Sequence, residues 1–191
     1  EVYATSGPRI YLRVFGGWDF NKRDLNHKRY PENGYGKGVP MGGDLPEREG
    51  TKSPSFLIHA GSDSKGANLD RVQVIKGWVD SQGQSFERVY DVAWAGEDRL
   101  GAGKKLAAIG STVNLETATY TNSIGAPLIS TVWRDPDFNA ELSAFYYVRV
   151  IEIPTPRHAL ADALALGMDA PDRGPAVIQE RAYSSPIWYA P

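Results

Sequence analysis

The stretch DRVQVIKGWVDSQGQSFERVYDVAW, residues 70–94, decides the fold class because it predicts a long antiparallel hairpin. Its first half, residues 70–79, alternates valines with polar residues, which is the two-residue period of a β-strand. In the second half the apolar residues again share one predicted face: Phe86, Tyr90, Val92 and Trp94. The polar link between the halves contains Gly83, which readily adopts the positive φ of a hairpin turn.

Further runs alternate in the same way or are rich in β-branched and aromatic residues, which favour strands. They are residues 9–15, 55–60, 128–133, 145–153 and 185–190. Together with the hairpin they predict a mainly β protein, an antiparallel β-sandwich that is immunoglobulin-like in broad architecture. The glycine- and proline-rich stretches between the runs predict long loops within one domain that spans residues 1–191.

One short helix is predicted after the run 145–153. Thr155 is a suitable N-cap, Pro156 suits the first helical position, and RHALADALAL consists mostly of helix-forming residues. Gly167 is the predicted stop. We expect this helix to cover an edge or an end of a sheet.

Composition and charge narrow the classes of function. The chain has 191 residues, 41% of them hydrophobic, and 21 Lys and Arg against 23 Asp and Glu give a net charge of −2. Because the cationic residues are scattered, the sequence does not predict nucleic-acid binding. No run approaches eighteen apolar residues, so no membrane span is predicted, and the lack of cysteine leaves the redox compartment open.

The glycine-rich stretch GYGKGVPMGGDLP, residues 34–46, departs from the pattern of a phosphate-binding loop. A P-loop requires a Ser or Thr after its lysine, whereas Lys37 is followed by Gly38, and Pro31 stands where the first glycine is needed. The favoured interpretation is a loop between strands whose glycines supply positive φ. An anion-binding nest of backbone N–H groups assisted by Lys37 stays open.

Metal-binding patterns are incomplete. Asp135, Asp137, Asn139 and Glu141 alternate as in a calcium loop, but the required Gly and final Glu are missing, so a cap on a short helical turn at Pro136 is favoured. The three histidines, His27, His59 and His158, are far apart and form no ligand motif. A structural, hydrogen-bonded role is favoured for His59.

The five tryptophans and ten tyrosines raise the alternative of a sugar-stacking surface. Trp94 and Trp188 fall within alternating strand patterns, for which burial in the core is the favoured interpretation. Exposed, coplanar aromatic rings on one face would instead favour a binding module.

Several stretches, in order along the whole chain, carry a family resemblance. They are EVYATSGPRI, VFGGWDF, GYGKGVPMGGDL, KGANLDRVQVIKGWVD, ERVYDVAW, TATYTNSIGAP, WRDPDF, AFYYVRVIEIPTPR and QERAYSSPIWYAP. The chain resembles the C-terminal region of domain-of-unknown-function family 3604, a bacterial family. Its full-length members carry a PHP-like (polymerase-and-histidinol-phosphatase-like) metal-dependent hydrolase domain.

The resemblance implies that residues 1–8 are the exit segment from an N-terminal PHP-like barrel that this chain does not contain. That barrel would be the partner of this domain and would hold divalent metals, while this chain would carry no cofactor, metal ligand or catalytic residue. Phosphoester or related hydrolysis is the reaction that the resemblance suggests, with a periplasmic or secreted location slightly favoured.

The resemblance also implies a role for this chain as a non-catalytic accessory domain that packs on the barrel and shapes its active-site mouth. Arg9 and Lys37 are the candidate substrate-binding residues, as cations for an anionic substrate. Structural or solvated roles for both are the alternative. The competing function is a stand-alone carbohydrate- or protein-binding β-sandwich module.

Overall fold

The computed structural model describes residues 1–26, 29–48, 50–97, 99–101, 103, 105–169 and 174–191. In these residues the strands are β1 (Tyr3–Thr5), β2 (Tyr11–Gly17), β3 (Gly38–Pro40), β4 (Ser55–Gly61), β5 (Leu69–Val79), β6 (Ser85–Trp94), β7 (Leu128–Arg134), β8 (Ala144–Glu152), β9 (Thr155–Pro156), β10 (Val177–Ile178), β11 (Arg181–Ser184) and β12 (Ile187–Tyr189). The helices are a 3₁₀ turn (Lys22–Leu25), α1 (Tyr30–Lys37) and α2 (His158–Leu166).

The predicted hairpin is confirmed. Strands β5 and β6 pair antiparallel, and the turn between them contains Gly83 with φ of 80°. A bulge between Val72 and Gln73 shifts the register, so that Trp94 lies opposite Arg71 and not on the side of Tyr90 as the simple alternation predicts. A bulge adds one residue to one strand and therefore reverses the faces of the residues beyond it.

The described strands form two main antiparallel sheets, here called the large sheet and the small sheet, and one separate pair of two-residue strands. The large sheet has the order β1-β11-β8-β5-β6, with β12 also paired to β8, and the small sheet has the order β3-β2-β4-β7. Strands β9 and β10 pair with each other. The mainly β, antiparallel, sandwich-like architecture predicted from the sequence is confirmed.

The core lies between the two main sheets. Leu12 and Val14 of β2 face it from the small sheet, and Val148 and Val150 of β8 face it from the large sheet, all essentially inaccessible to water. Each such side chain contributes about 1.5–3 kcal/mol through removal of its apolar surface from water. Burial of these alternating positions fixes the register of both sheets.

Helix α1 corrects the prediction of a glycine loop. Residues 34–37 form its last turn, and Gly38 begins β3. The helix covers the outer side of the small sheet, where Gly34 lies so close to Phe15 that a Cβ there would be 2.4 Å from the ring. Gly34 therefore permits close packing, and the positive φ predicted for the glycines of residues 34–46 is found at Gly42, with φ of 90°.

Helix α2 and the turn after β7 differ in detail from the prediction. The helix begins at His158, because Thr155 and Pro156 are used as β9, and it ends as predicted at Gly167, with φ of 63°. No described helix begins at Pro136. Asp135 accepts a hydrogen bond from the backbone N–H of Asp137 at 2.9 Å and thereby closes a turn.

The predicted core position of Trp188 is wrong. Ile187 and Tyr189 of β12 are buried, and Trp188 between them points outward and is 48% exposed, packed against Phe145 at 5.3 Å between ring centroids. Trp94 is half-buried. Because side chains alternate between the two faces of a strand, Trp188 must point outward when both of its neighbours point inward, whatever the size of its ring.

Among the described residues, no helix combines the length and the apolar character needed to cross a bilayer.

Two glycines of α1 provide a matched test of its packing. Gly34→Ala is expected to lower the free energy of unfolding by about 1–3 kcal/mol, because the added methyl group overlaps Phe15. Gly36→Ala meets nothing within 4 Å and should be neutral or stabilising by up to about 1 kcal/mol. Urea denaturation of both variants measures this difference. Equal effects of the two substitutions would contradict the close packing of α1 against Phe15.

Candidate functional site

A cleft lies where the open edges of the two main sheets meet. Strand β6 ends the large sheet and β7 ends the small one. The connection from β7 to β8, residues 135–143, begins at this place. The cleft has a volume of about 550 Å³ and is lined by Arg88, Val89, Tyr90, Asp91, Trp94, Leu100, Gly103, Trp133, Pro136 and Asp137.

A buried ion pair forms the base of this region. Lys76 of β5 donates to Asp135 Oδ2 at 2.7 Å and to the backbone carbonyl of Asp137 at 2.8 Å. The side chains of Lys76 and Asp135 are almost fully buried. Removal of charge from water is costly, so the pair is stable only with the additional hydrogen bonds that surround it.

Tyr146 completes this base. Its hydroxyl donates to Asp135 Oδ2 at 2.7 Å, and its ring packs against Phe56 of the small sheet. Burial, followed by the nearby charge of Asp135, raises the pKa of Tyr146 well above its ordinary value. Tyr146 is therefore a neutral hydrogen-bond donor at physiological pH.

Asp137 forms a second, more exposed layer above the base. Its Oδ2 accepts from Arg88 Nη1 and from the Tyr90 hydroxyl, each at 2.8 Å. Burial, followed by the hydrogen bond to Asp137, raises the pKa of Tyr90. The Arg88 guanidinium also lies over the Tyr90 ring, 5.2 Å from its centroid.

Aromatic rings form the walls. The ring centroids of Tyr90 and Trp133 lie 4.9 Å apart, and on its inner side the Trp133 ring packs against the buried Phe56. A smaller cavity of about 260 Å³ adjoins on the other side of Arg88 and Asp137 and reaches Lys76, Trp78 and Asn139. The arrangement combines aromatic faces with paired hydrogen-bonding groups, which is typical of small-ligand sites.

Neither Lys76 nor Arg88 is among the site residues predicted from the sequence. Lys76 lies opposite the buried Tyr146 in the pairing of β5 with β8, and Val74 and Lys76 both have even numbers within one inward-facing series. A lysine at a core-facing position of an apolar strand requires a buried partner. The core-facing position of Lys76 could therefore have predicted a buried ion pair from the sequence. Arg88 lies on an edge strand, where its sequence position indicates no such role.

The two predicted substrate-binding residues lie apart. Arg9 is exposed just before β2, and its backbone N–H donates to Asp63 at 3.0 Å. Lys37 ends α1 and pairs with Asp24 Oδ1 at 2.5 Å. Because Tyr11 and Gly17 are the two ends of β2, with Gly38 paired to Gly17, Arg9 and Lys37 are separated by about 20 Å of strand. The structure does not bring them into one cluster.

The candidate metal ligands have other partners. Asp135 is engaged by Lys76, and His59 Nδ1 lies 2.7 Å from the Ser130 hydroxyl. His27 lies outside the described residues. Within the described part of the chain, no group of three or more His, Asp or Glu side chains is placed to hold a metal ion.

A separate buried carboxyl lies at the end of β8. Glu152 is 1% exposed, and its Oε1 has no hydrogen-bond partner among the described residues. Burial, with smaller contributions from Glu180 and Asp63, raises the pKa of Glu152 to about 8. Glu152 is therefore mostly protonated at neutral pH.

The fold and the cleft together define a mainly β, antiparallel protein with an aromatic-walled cleft between its sheets. The family model described as "Protein of unknown function (DUF3604)" matches residues 1–191, and the chain belongs to this family. Searches of curated proteins and of solved structures returned no match.

Loss of one partner from the buried pair should be costly. Lys76→Met is expected to lower the free energy of unfolding by about 3–5 kcal/mol, because Asp135 would stay buried without its cation. The control Arg88→Met breaks a half-exposed pair and should cost no more than about 1 kcal/mol. Denaturant titration measures both, and a Lys76→Met protein as stable as the wild type would contradict the role of the pair.

Glu152 should make stability depend on pH. Its ordinary pKa is 4.5 and its folded value is about 8, so between these values the folded state holds a proton that the unfolded state releases. This group's contribution to stability therefore falls as pH rises from about 4.5 to 8. Glu152→Gln should match the wild type at the acid end and gain stability over it towards pH 8. Thermal unfolding across this range measures the difference, and a pH-independent difference would refute the assignment.

Proposed function

We propose that this chain is a non-catalytic accessory domain of a PHP-like metal-dependent hydrolase with an anionic, phosphoester-type substrate. In this proposal the hydrolase domain precedes residue 1 in the same protein and holds the divalent metals. The domain described above packs on it and shapes the mouth of its active site. The family membership of the chain is consistent with this role, and the observation that carries it is a surface near residue 1.

That surface, here called the tyrosine surface, consists of Val2, Tyr11, Tyr35 and Leu128, all large apolar residues that are 42–70% exposed. Tyr11 and Leu128 flank Gly61, and the Tyr35 hydroxyl donates to the carboxylate of Glu1, the residue before Val2. Arg13 joins Tyr11 to Tyr35. Exposed apolar groups gathered in this way typically mark an interface.

The position of the N-terminal strand supports the same role. Strand β1 is held in register against β11, so the point at which the chain enters the sheet is fixed. A preceding domain would thereby be kept close to the tyrosine surface. Arg9 and Lys37 border this surface at opposite ends, where either cation could contact an anionic substrate at the rim of a neighbouring active site.

The test uses the parent protein with divalent metals and a panel of phosphoesters. The double variant Tyr11→Lys/Tyr35→Lys should detach the domain and raise KM at least several-fold, because substrate positioning is lost while the metals stay in place. Arg9→Ala should raise KM with little change in kcat. Hydrogen exchange in residues 9–13 and 30–37 should be slower in the parent protein than in this chain alone.

Two controls accompany these variants. Val79→Lys alters an equally exposed apolar residue in β5 of the large sheet, and Lys22→Ala removes an exposed cation. Both should leave KM unchanged. Unchanged KM and unchanged exchange in the tyrosine-surface variant would refute the packing role, and phosphoester hydrolysis by this chain alone would refute its non-catalytic role.

The second candidate function is a binding module for a carbohydrate or a protein partner. The observation that favours it is the aromatic-walled cleft between β6 and β7. The two candidates use different surfaces, so a test of one does not decide the other.

A further inference from the structure

We propose that the cleft between β6 and β7 binds a neutral, hydroxyl-rich ring, that is, a pyranose unit of an uncharged saccharide. The inference rests on the second candidate function, binding by this chain, and assigns its site and ligand class. It does not depend on the accessory role or on the tyrosine surface.

The size and walls of the cleft suit a ring with one apolar face. A volume of about 550 Å³ lies within the range of 300–1,000 Å³ that is usual for small-ligand sites. Tyr90 and Trp133 line its inner side, Trp94 lines it from the opposite face of β6, and all three are partly exposed. The C–H face of a pyranose packs on such rings through dispersion and burial of apolar surface.

The charges in and under the cleft are balanced. Arg88 pairs with Asp137 at 2.8 Å, Lys76 with Asp135 at 2.7 Å, and Arg71 with Asp91 at 3.8 Å. Each of these three cations has a carboxylate partner, so the described residues of the site offer no net positive charge for a phosphate or carboxylate ligand. This balance favours a neutral ligand over a nucleotide or an acidic sugar.

The polar groups at the cleft match adjacent hydroxyls. Arg88 uses Nη1 for Asp137, while its Nε and Nη2 have no hydrogen-bond partner among the described residues. Asp137 receives both of its bonds at Oδ2, which leaves Oδ1 as an acceptor within the described structure. A donor and an acceptor side by side can hold two neighbouring hydroxyl groups, each of which donates and accepts.

The site is also pre-organised. The Tyr90 hydroxyl fixes Asp137, and the Asp137 backbone is held by Asp135 and Lys76. A ligand would therefore meet the aromatic wall and the Arg88–Asp137 pair already in place, which lowers the entropic cost of binding.

The experiment screens the protein against an immobilised panel of neutral gluco-, manno-, galacto- and xylo-configured oligosaccharides. Acidic oligosaccharides and nucleotides are included for comparison. Affinity for each hit is then measured by calorimetry. Trp94→Ala and Arg88→Met should each weaken binding of a neutral hit about tenfold or more, through loss of a wall or of the donor. Trp188→Ala is the matched control, since it removes an equally large exposed ring three strands from β6.

The possible outcomes distinguish failure of the proposed saccharide site from failure of the second candidate function, a binding module. Neutral-saccharide binding that Trp94→Ala and Arg88→Met weaken, and Trp188→Ala does not, supports it. Binding lost only in Trp188→Ala would overturn the cleft as the site but leave a binding module in place. Binding confined to acidic sugars or nucleotides would overturn the neutral ligand class. No binding to any panel member at millimolar concentration, or capture of a protein partner alone, would overturn the saccharide ligand.

Discussion

The ion pair between Lys76 and Asp135 joins the two main sheets, and the cleft depends on it. Lys76 belongs to β5 of the large sheet, and Asp135 directly follows β7 of the small sheet. The Asp135 backbone N–H also donates to the carbonyl of Pro54, next to β4. One buried carboxylate thus connects strands that the hydrophobic core alone would hold together without directional preference, because apolar packing is not directional.

The polar groups of the cleft are positioned through this ion pair. The Lys76 ammonium holds the backbone of Asp137, and the Asp137 carboxylate then orients Arg88 and Tyr90. An uncompensated charge at this depth is costly, so the loop has few alternative arrangements of comparable free energy. The outcome is a donor and an acceptor held side by side next to aromatic rings. Tyr11 and Leu128 of the tyrosine surface lie on the outer side of the small sheet and do not share these contacts.

The sequence predicted those parts of the fold that local patterns determine. Alternation and Gly83 were sufficient for the β5–β6 hairpin, and helix-forming residues with Gly167 for the end of α2. Helix α1 was missed because its glycines are poor helix formers, and it packs on Phe15 through Tyr30 and Gly34, a tertiary contact that sequence spacing does not reveal. The bulge at Val72 and Gln73 was also missed, because it arises from the pairing of β5 with β6 and not from a local sequence pattern. Of the candidate site, the alternation of Asp135 and Asp137 and the inward position of Lys76 left signals in the sequence, whereas Arg88 left none.

Amide hydrogen exchange measures whether the buried pair pre-organises the cleft. The amides of Asp135 and Asp137 donate to Pro54 O and Asp135 Oδ1, at 3.0 and 2.9 Å. If the account is correct, both amides exchange only on global unfolding and are as protected as that of Val74 in β5. Fast exchange of the two amides beside a protected Val74 would show that the loop opens independently of the sheets and would contradict this pre-organisation.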